Sequence, residues 1–145
     1  MNDRVFLLPV LVQVFLTFTL LAAMGLRRPA AVKGGAFSVR NIAPGQDAGP
    51  ARDHPFSRSF SNQFELPVLF YALIAFILIT RQADWLLLIL AWLFVVARIA
   101  HAGIHVTSNH VPTRFGVYVV GALALLVMWI VYAIKLIAIL SLSSD

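Results

Sequence analysis

The sequence predicts an all-α integral membrane protein, built as a bundle of four transmembrane helices. The chain is 61% hydrophobic and only 12% charged, and its mean hydropathy of +0.90 lies far outside the range of ordinary soluble domains. Its apolar residues also fall into four long segments. Each segment approaches or exceeds the ~20 residues that a helix needs to cross a bilayer.

The predicted spans cover residues 5–26, 62–80, 85–104 and 115–140. Helices are favoured over membrane β-strands because the segments lack the alternation of apolar and polar residues that a barrel requires, and the last segment is too long for one barrel strand. The connection 27–61 is rich in Gly, Pro and Ala, which disfavours a packed core and predicts a surface loop. Residues 1–145 are therefore expected to form a single membrane domain.

The first span has some features of a signal peptide, since Arg4 precedes the apolar run and the small residues Ala22 and Ala23 lie near its end. The run is nevertheless longer than the apolar region of a usual signal peptide, and Arg27 and Arg28 follow it immediately. The sequence therefore predicts that this segment is retained as a membrane anchor.

The distribution of positive charge predicts the orientation. Six of the eleven Lys and Arg residues lie in the 27–61 connection: Arg27, Arg28, Lys33, Arg40, Arg52 and Arg58. The positive-inside rule places this loop in the cytoplasm and, with four spans, both termini outside it. The net charge of +5 is thus explained by topology. No basic patch interleaved with aromatic residues indicates a nucleic-acid partner.

Seven polar residues come to one predicted membrane level, on the cytoplasmic side: Arg58, Asn62, Glu65, Arg98, His101, His105 and Arg114. The first three are spaced as one stripe of a helix at the start of span two, and the next three as one stripe at the end of span three. The last opens span four. Ionisable groups at membrane depth are costly, which makes all seven candidates for function.

Glu65, the acidic residue of this set, has two alternative interpretations. Asn62 and Glu65 are spaced as a capping box, in which both side chains only satisfy backbone groups at a helix start. Arg98, however, follows thirteen uncharged residues and needs a partner or a route to water, and Glu65 is the acidic residue at matching depth. An interhelical interaction between Glu65 and Arg98 is therefore hypothesised. Arg58 and Arg114 can also be interpreted as arginines at the membrane interface that follow the positive-inside rule without a role in a site.

Several other chemistries find little or no support. His101 and His105 share a helix face, but a zinc site would also need His110 or His54 together with Glu65, and none is predicted. No cysteine is present, which excludes disulfides and a protein thiol nucleophile. Neither a Gly-rich phosphate loop nor a Ser/His/Asp arrangement is found. The span aromatics are interpreted as packing or belt residues: Trp85, Trp92, Trp129, Tyr71, Tyr118 and Tyr132.

The polar residues and their surroundings resemble the signature of the MAPEG family, the membrane-associated proteins in eicosanoid and glutathione metabolism. The resemblance rests on RSFSNQFELPVLFY around Asn62 and Glu65, ARIAHAGIH around Arg98 and His101, and the Pro-Thr-Arg that ends at Arg114. It covers essentially the whole chain and is greatest to the bacterial branch. It implies a four-helix protomer, a homotrimer and a bacterial inner-membrane location.

The same resemblance implies a glutathione site between adjacent protomers that opens toward the cytoplasm, with glutathione as thiol co-substrate. Its expected ligands are Arg58, Asn62, Glu65, Arg98, His101 and His105. Arg114 is expected beside the sulfur, where a cation favours the thiolate, the better nucleophile. The implied activity is glutathione transfer to a lipophilic electrophile, or reduction of a peroxide, with the substrate arriving from the bilayer.

Three positions depart from eukaryotic synthase members of the family. Ser61 and His110 stand where those enzymes have Arg, and His105 stands where they tend to have Tyr. The family also contains an accessory member that binds lipid without catalysis, and a fold does not by itself establish an activity. A non-catalytic lipid-binding or scaffold trimer is therefore the alternative function.

Overall fold

The computed structural model describes residues 3–33, 59–108 and 110–142. This part of the chain consists of helices, without strands: a 3-10 turn Asp3–Phe6, α1 Leu7–Lys33, a 3-10 turn Asn62–Phe64, α2 Leu66–Ile79, α3 Trp85–Val106 and α4 Val111–Leu142. Four segments are long and apolar enough to cross a membrane: Asp3–Leu26, Ser59–Ile79, Trp85–Val106 and Val111–Leu142. The predicted all-α bundle with four spans is confirmed.

The helix bounds differ from the predicted ones mainly at one place. α1 continues to Lys33, so residues 27–33, which were predicted as the start of the loop, are helical. The helix passes through Pro29, which has no N–H to donate to the Gly25 carbonyl, and the Arg, Ala and Lys residues around this proline are good helix formers. Residues 34–58 of the predicted loop, including Arg58, lie outside the described residues.

Span two is not one continuous helix. Residues 59–61 form a helical turn, the 3-10 turn follows, and Glu65 adopts φ −97° and ψ −107° before α2 begins. Pro67 gives the reason: it has no N–H to donate to the Gln63 carbonyl, and its ring would clash with that carbonyl in a regular helix. The prediction of a single helical stripe through Asn62 and Glu65 is therefore wrong.

Helices α3 and α4 pack closely along their length. A Cβ added at Gly121 of α4 would lie 3.3 Å from the Ala97 Cβ of α3, so the absence of a side chain permits this close approach, as small residues commonly do between membrane helices. Phe70 of α2 stacks on Phe94 of α3 with ring centroids 4.7 Å apart. The core formed in this way holds the ends of three helices in a defined arrangement.

The connection between α2 and α3 forms a compact turn, and we call this part of the bundle the turn end. Arg81 has φ +55°, its N–H donates to the Leu78 carbonyl, and the N–H of Gln82 donates to the Ile77 carbonyl. This is the Schellman pattern that ends a helix, with Arg in the place usually taken by Gly. Residues 80–84 thus reverse the chain with the last carbonyls of α2 satisfied.

Asp84 joins the turn end to the rest of the bundle. Its Oδ1 accepts a hydrogen bond from the Leu87 N–H at 2.7 Å, which caps the first turn of α3. Its Oδ2 pairs with the Lys135 ammonium of α4. One carboxylate therefore caps one helix and neutralises the cation of another.

Candidate functional site

A partly open cavity of about 470 Å³ lies at the opposite end of the bundle, which we call the cavity end. Its volume falls within the ~300–1,000 Å³ typical of small-molecule sites. Eight residues line it: Ser61, Asn62, His101, His105, Val111, Arg114, Phe115 and Tyr118. Polar and apolar side chains therefore share one wall.

Three elements contribute to the lining, and helical spacing explains which residues they present. The broken start of span two supplies two neighbouring residues, and the last turns of α3 supply two histidines that are four residues apart. The first two turns of α4 supply positions i, i+3, i+4 and i+7, which is one face of a helix. The cavity therefore depends on how these three segments are held against one another.

His101 connects α3 to the first turn of α4. Its Nδ1 lies 3.2 Å from the Arg114 carbonyl, and because a carbonyl only accepts, the neutral ring carries its proton on Nδ1. Nε2 is then an acceptor, and it is buried without a hydrogen-bond partner among the described atoms. One ring nitrogen thus holds the backbone that carries Arg114, and the other has an unused lone pair.

Aromatic rings surround this contact. The His101 ring lies 5.9 Å from that of His105 and 5.7 Å from that of Tyr118, measured between centroids. His101 is 5% exposed and His105 is 4% exposed. Both imidazoles are therefore held in fixed positions at the cavity wall by packing.

Arg98 lies behind the cavity wall and is not among its lining residues. The side chain is 2% exposed, and its Nη2 donates to the Asn62 carbonyl at 2.8 Å. Its Nε and Nη1 have no hydrogen-bond partner among the described atoms. Arg98 therefore supports the backbone of the broken segment of span two from the side of α3.

Glu65 makes neither of the contacts predicted for it, the hydrogen bond of a capping box and the interaction with Arg98. No side-chain capping hydrogen bond forms at Ser61 or at Glu65, the two cap positions of the broken segment, so the capping box is wrong. The break before α2 moves Asn62 away from the cap position. Glu65 is exposed on the protomer surface, and no ion pair joins it to the buried Arg98 in the part of the chain described. Their charges interact only at longer range.

The structure describes six of the seven predicted site residues and places them in three positions. Four of them line the cavity: Asn62, His101, His105 and Arg114. Arg98 is buried behind it, and Glu65 lies on the outer surface of the same end. Arg58 lies outside the described residues.

Four lining residues were not predicted as part of the site: Ser61, Val111, Phe115 and Tyr118. Ser61 was considered only as a departure from other members of the family. Tyr118 was interpreted as a packing or belt residue, and Val111 and Phe115 were read only as span residues or flanks. The spacing of four residues between Arg114 and Tyr118 places both on one helix face, a signal that could have identified the tyrosine. Val111 and Phe115 are strongly exposed apolar residues beside Arg114, and only their placement distinguishes them from other apolar surface residues.

A metal site finds no support in the described residues. They contain no group of three or more His, Cys, Asp or Glu side chains placed to hold a metal ion. His110 instead shares a hydrogen bond of 2.8 Å with the Thr113 hydroxyl, and His54 lies outside the described residues.

The cavity combines groups that suit an amphiphilic ligand. The guanidinium of Arg114 and the side-chain amide of Asn62 provide donors for an anion or a carbonyl. The exposed side chains of Val111 and Phe115 provide an apolar lip on a membrane-spanning segment. A cation beside a bound thiol would lower the pKa of that thiol, which is the condition for nucleophilic sulfur chemistry.

Comparison with known proteins identifies the family. Searches of curated proteins and of solved structures give no match. A profile of the MAPEG family matches residues 6–134, a region that contains every residue lining the cavity. Because this match covers most of the 145-residue chain, the protein is a multi-pass integral membrane protein that belongs to the MAPEG family.

Proposed function

We propose that this protein is a membrane-bound, glutathione-dependent transferase or peroxidase that acts on lipophilic electrophiles. The observation that carries the proposal is the cavity, which groups Arg114 with Asn62 and two buried imidazoles beside an apolar lip. Membership in a glutathione-associated family supports the identity of the thiol. The cavity is large enough to hold a small peptide.

Arg114 is the proposed activating residue. Its guanidinium stabilises the thiolate of bound glutathione, which raises the fraction of thiol that is ionised at neutral pH. In the transferase reaction, the sulfur forms a bond to the electrophilic carbon, and the leaving group departs with its electron pair. In the peroxidase reaction, two thiols are oxidised to one disulfide while a hydroperoxide is reduced to an alcohol and water.

The remaining predicted ligands are proposed to hold the tripeptide. Asn62, His101 and His105 line the cavity and offer donors and acceptors to its amide and carboxylate groups. Arg58, Glu65 and Arg98 keep their proposed roles as glutathione-binding residues. Of these, Arg98 can act on a ligand through the Asn62 segment that it holds.

A homotrimer is proposed on the basis of Glu65. This carboxylate is exposed on a membrane-spanning segment of the protomer, where contact with lipid would be costly. A neighbouring protomer that covers Glu65 would remove this cost and would complete the glutathione site at the same end of the bundle. Native mass spectrometry in gentle detergent should show the trimer, and a species that is only monomeric would contradict it.

Access of the hydrophobic substrate is proposed to occur sideways from the bilayer. Phe115 is 66% exposed and Val111 is 58% exposed, and both lie at the cavity. A lipophilic molecule dissolved in the membrane would therefore meet an apolar surface next to the thiolate. This route avoids transfer of the substrate through water.

The bacterial inner membrane is the proposed location, with the cavity end at the cytoplasmic face. Because the chain has no cysteine, single cysteines introduced at Ser38, Ser108 and Ser144 report the side of the membrane without background. An impermeant maleimide applied to intact cells should label only the Ser144→Cys variant. Labelling of the other two variants, with Ser144→Cys protected, would reverse the orientation.

Binding and turnover test the function directly. Titration calorimetry with glutathione on detergent-purified protein should show a saturable heat, and turnover should follow with an aryl halide or a lipid hydroperoxide as the second substrate. Glutathione binding without turnover of either class would favour the lipid-binding or scaffold trimer. Absence of both binding and turnover would remove the glutathione proposal.

A further inference from the structure

The break in span two leaves backbone groups that a regular helix would satisfy. Non-helical backbone at membrane depth is tolerated only where it is buried in protein or lines a water-filled cavity. Two carbonyls here accept hydrogen bonds from side chains: Ser59 from the Gln63 Nε2 at 3.2 Å, and Asn62 from the Arg98 Nη2 at 2.8 Å. The segment that presents Ser61 and Asn62 to the cavity is therefore held by side chains on both sides.

Gln13 of α1 fixes the orientation of the first of these side chains. Its Nε2 donates to the Gln63 Oε1 at 2.7 Å. Because the Ser59 carbonyl only accepts, the amide NH₂ of Gln63 must face it, which leaves Oε1 for Gln13. Gln13 is fully buried and Gln63 is 2% exposed, so water does not replace either hydrogen bond.

We infer that Gln13 and Gln63 are positioning residues for the cavity, forming a hydrogen-bonded relay from α1 to the broken segment of span two. Neither side chain lines the cavity, and Gln13 lies fifty positions from its partner in the sequence. The relay acts through the backbone of Ser59 and sets the position of the two lining residues that follow. Gln63 directly follows Asn62, so a change in its side chain is transmitted to the cavity wall.

The relay predicts a specific functional effect. Without the Gln13 donor, the Gln63 amide is free to rotate, and the carbonyl of Ser59 loses its fixed partner. Asn62 would then be less well placed to bind a ligand, while Arg114 on α4 keeps its own support from His101. The effect on glutathione binding rests on the proposed function, whereas the effect on the shape of the segment does not.

The first experiment measures the segment without any ligand. A Ser59→Cys variant carries the sole thiol of the chain. Because Ser59 is fully buried, the rate at which a small reagent modifies this thiol reports how often the segment opens. Gln13→Met should raise this rate by roughly fivefold, as expected for loss of one buried hydrogen bond. Gln63→Met removes both hydrogen bonds of the relay and should raise the rate by about tenfold or more. The double variant should be no faster than the faster single variant, because both substitutions break one relay.

A matched control lies on the same helix. The Thr19 hydroxyl bonds the Phe15 carbonyl of α1 itself, so Thr19→Val removes a polar group from α1 without touching the relay and should leave the modification rate unchanged. Should Gln13→Met fail to fold, Gln13→Asn keeps a polar group but withdraws the donor from Gln63, and the same acceleration is expected. Rates in folded Gln13 and Gln63 variants that equal the parent rate would overturn the inference.

The second experiment separates positioning from a general loss of stability. Gln13→Met should raise the KM for glutathione by about fivefold with kcat nearly unchanged. Leu73→Ala, a truncation of a fully buried core residue, should lower the melting temperature without raising KM. An unchanged KM in an active Gln13→Met protein would contradict the relay. If the parent protein does not turn over glutathione, only the proposed function is contradicted, and the relay is then tested by the modification rates.

Discussion

The two ends of the bundle differ in how their charged side chains are paired. At the turn end, Asp84 caps α3 and pairs with Lys135 of α4, so both charges are satisfied within the protomer. At the cavity end, the Nε and Nη1 of Arg98 are buried without hydrogen-bond partners among the described atoms. Glu65 there is exposed instead of being paired with Arg98.

We interpret this difference as one between an end that supports the fold and an end that carries the proposed function. Removal of charges from water is tolerated where their partners are supplied, and the turn end supplies them within the protomer. The cavity end keeps unused donors on Arg98 and an unused acceptor on the Nε2 of His101. Buried polar groups are usually hydrogen-bonded, so these exceptions require an explanation, and a bound ligand or a neighbouring protomer would supply the missing partners. We therefore expect substitutions at the cavity end to change activity and those at the turn end to change stability.

The largest expected effect is that of Arg114→Ala. Loss of the cation should lower turnover about a hundredfold, as for removal of a group that stabilises developing charge, and binding should weaken less. Without Arg114, the pKa of the bound thiol rises, so part of the rate should return as pH increases. Arg114→Lys should keep part of the rate, since lysine retains the charge without the planar fork. Thiolate absorbance and the pH dependence of kcat/KM provide the measurement.

The control for this experiment is the cation at the other end. Lys135→Met removes a positive charge from the same helix but strands Asp84, so it should lower the melting temperature and leave kcat/KM of the folded protein unchanged. If the Arg114→Ala and Arg114→Lys variants ionise the thiol and turn over like the parent, Arg114 is not the activating residue.

The next largest effect is expected for substitutions of His101, whose two ring nitrogens have different roles. His101→Asn keeps a donor near the position of Nδ1 and should retain kcat, because the Arg114 carbonyl stays bonded, while KM rises through loss of Nε2. His101→Gln keeps a polar group near Nε2 but loses the donor to Arg114, so kcat should fall about tenfold. Steady-state kinetics of both variants give the comparison. Equal losses in kcat and KM for the two variants would reject this division between the nitrogens.

Substitution of Asp84 is expected to have a moderate effect on stability alone. Asp84→Ala removes both the cap and the ion pair and should lower the free energy of unfolding by about 1–2 kcal/mol. Asp84→Asn retains a capping oxygen and should cost about half as much. Thermal unfolding in detergent gives both values, and glutathione affinity should remain that of the parent. A lower affinity in the folded Asn variant would show that the turn end is coupled to the cavity.

The smallest effect on the isolated protomer is expected for Glu65→Gln. Because Glu65 is exposed and makes no capping bond, the free energy of unfolding should change by well under ~1 kcal/mol. Glutathione affinity and trimer content should nevertheless fall, because the neighbouring protomer and glutathione are both proposed to contact the Glu65 carboxylate. Native mass spectrometry and calorimetry on one preparation test this pair of outcomes. Unchanged trimer content together with unchanged affinity would leave Glu65 without a functional role.

Much of the cavity end was predictable from spacing. Arg98, His101 and His105 recur at helical intervals in a predicted span, and all three are buried on the inner side of α3. Arg114 follows at the start of the next span, so topology alone brings it near. The role of Arg98 was not predictable, because its partner is the backbone carbonyl of Asn62, and a carbonyl carries no signal in the sequence.

The sequence by itself determined the four spans, the family signature and the placement of the polar residues near the ends of the spans. These properties depend on composition and on local periodicity, which act along the chain. Tertiary structure alone decided that the Pro67 break turns Asn62 into the cavity and leaves Glu65 outside. It likewise decided that Gln13 supports a segment fifty positions away. Such contacts depend on which helices pack side by side and on the orientation of each side chain. The spacing of residues within a single span gives no information on either of these.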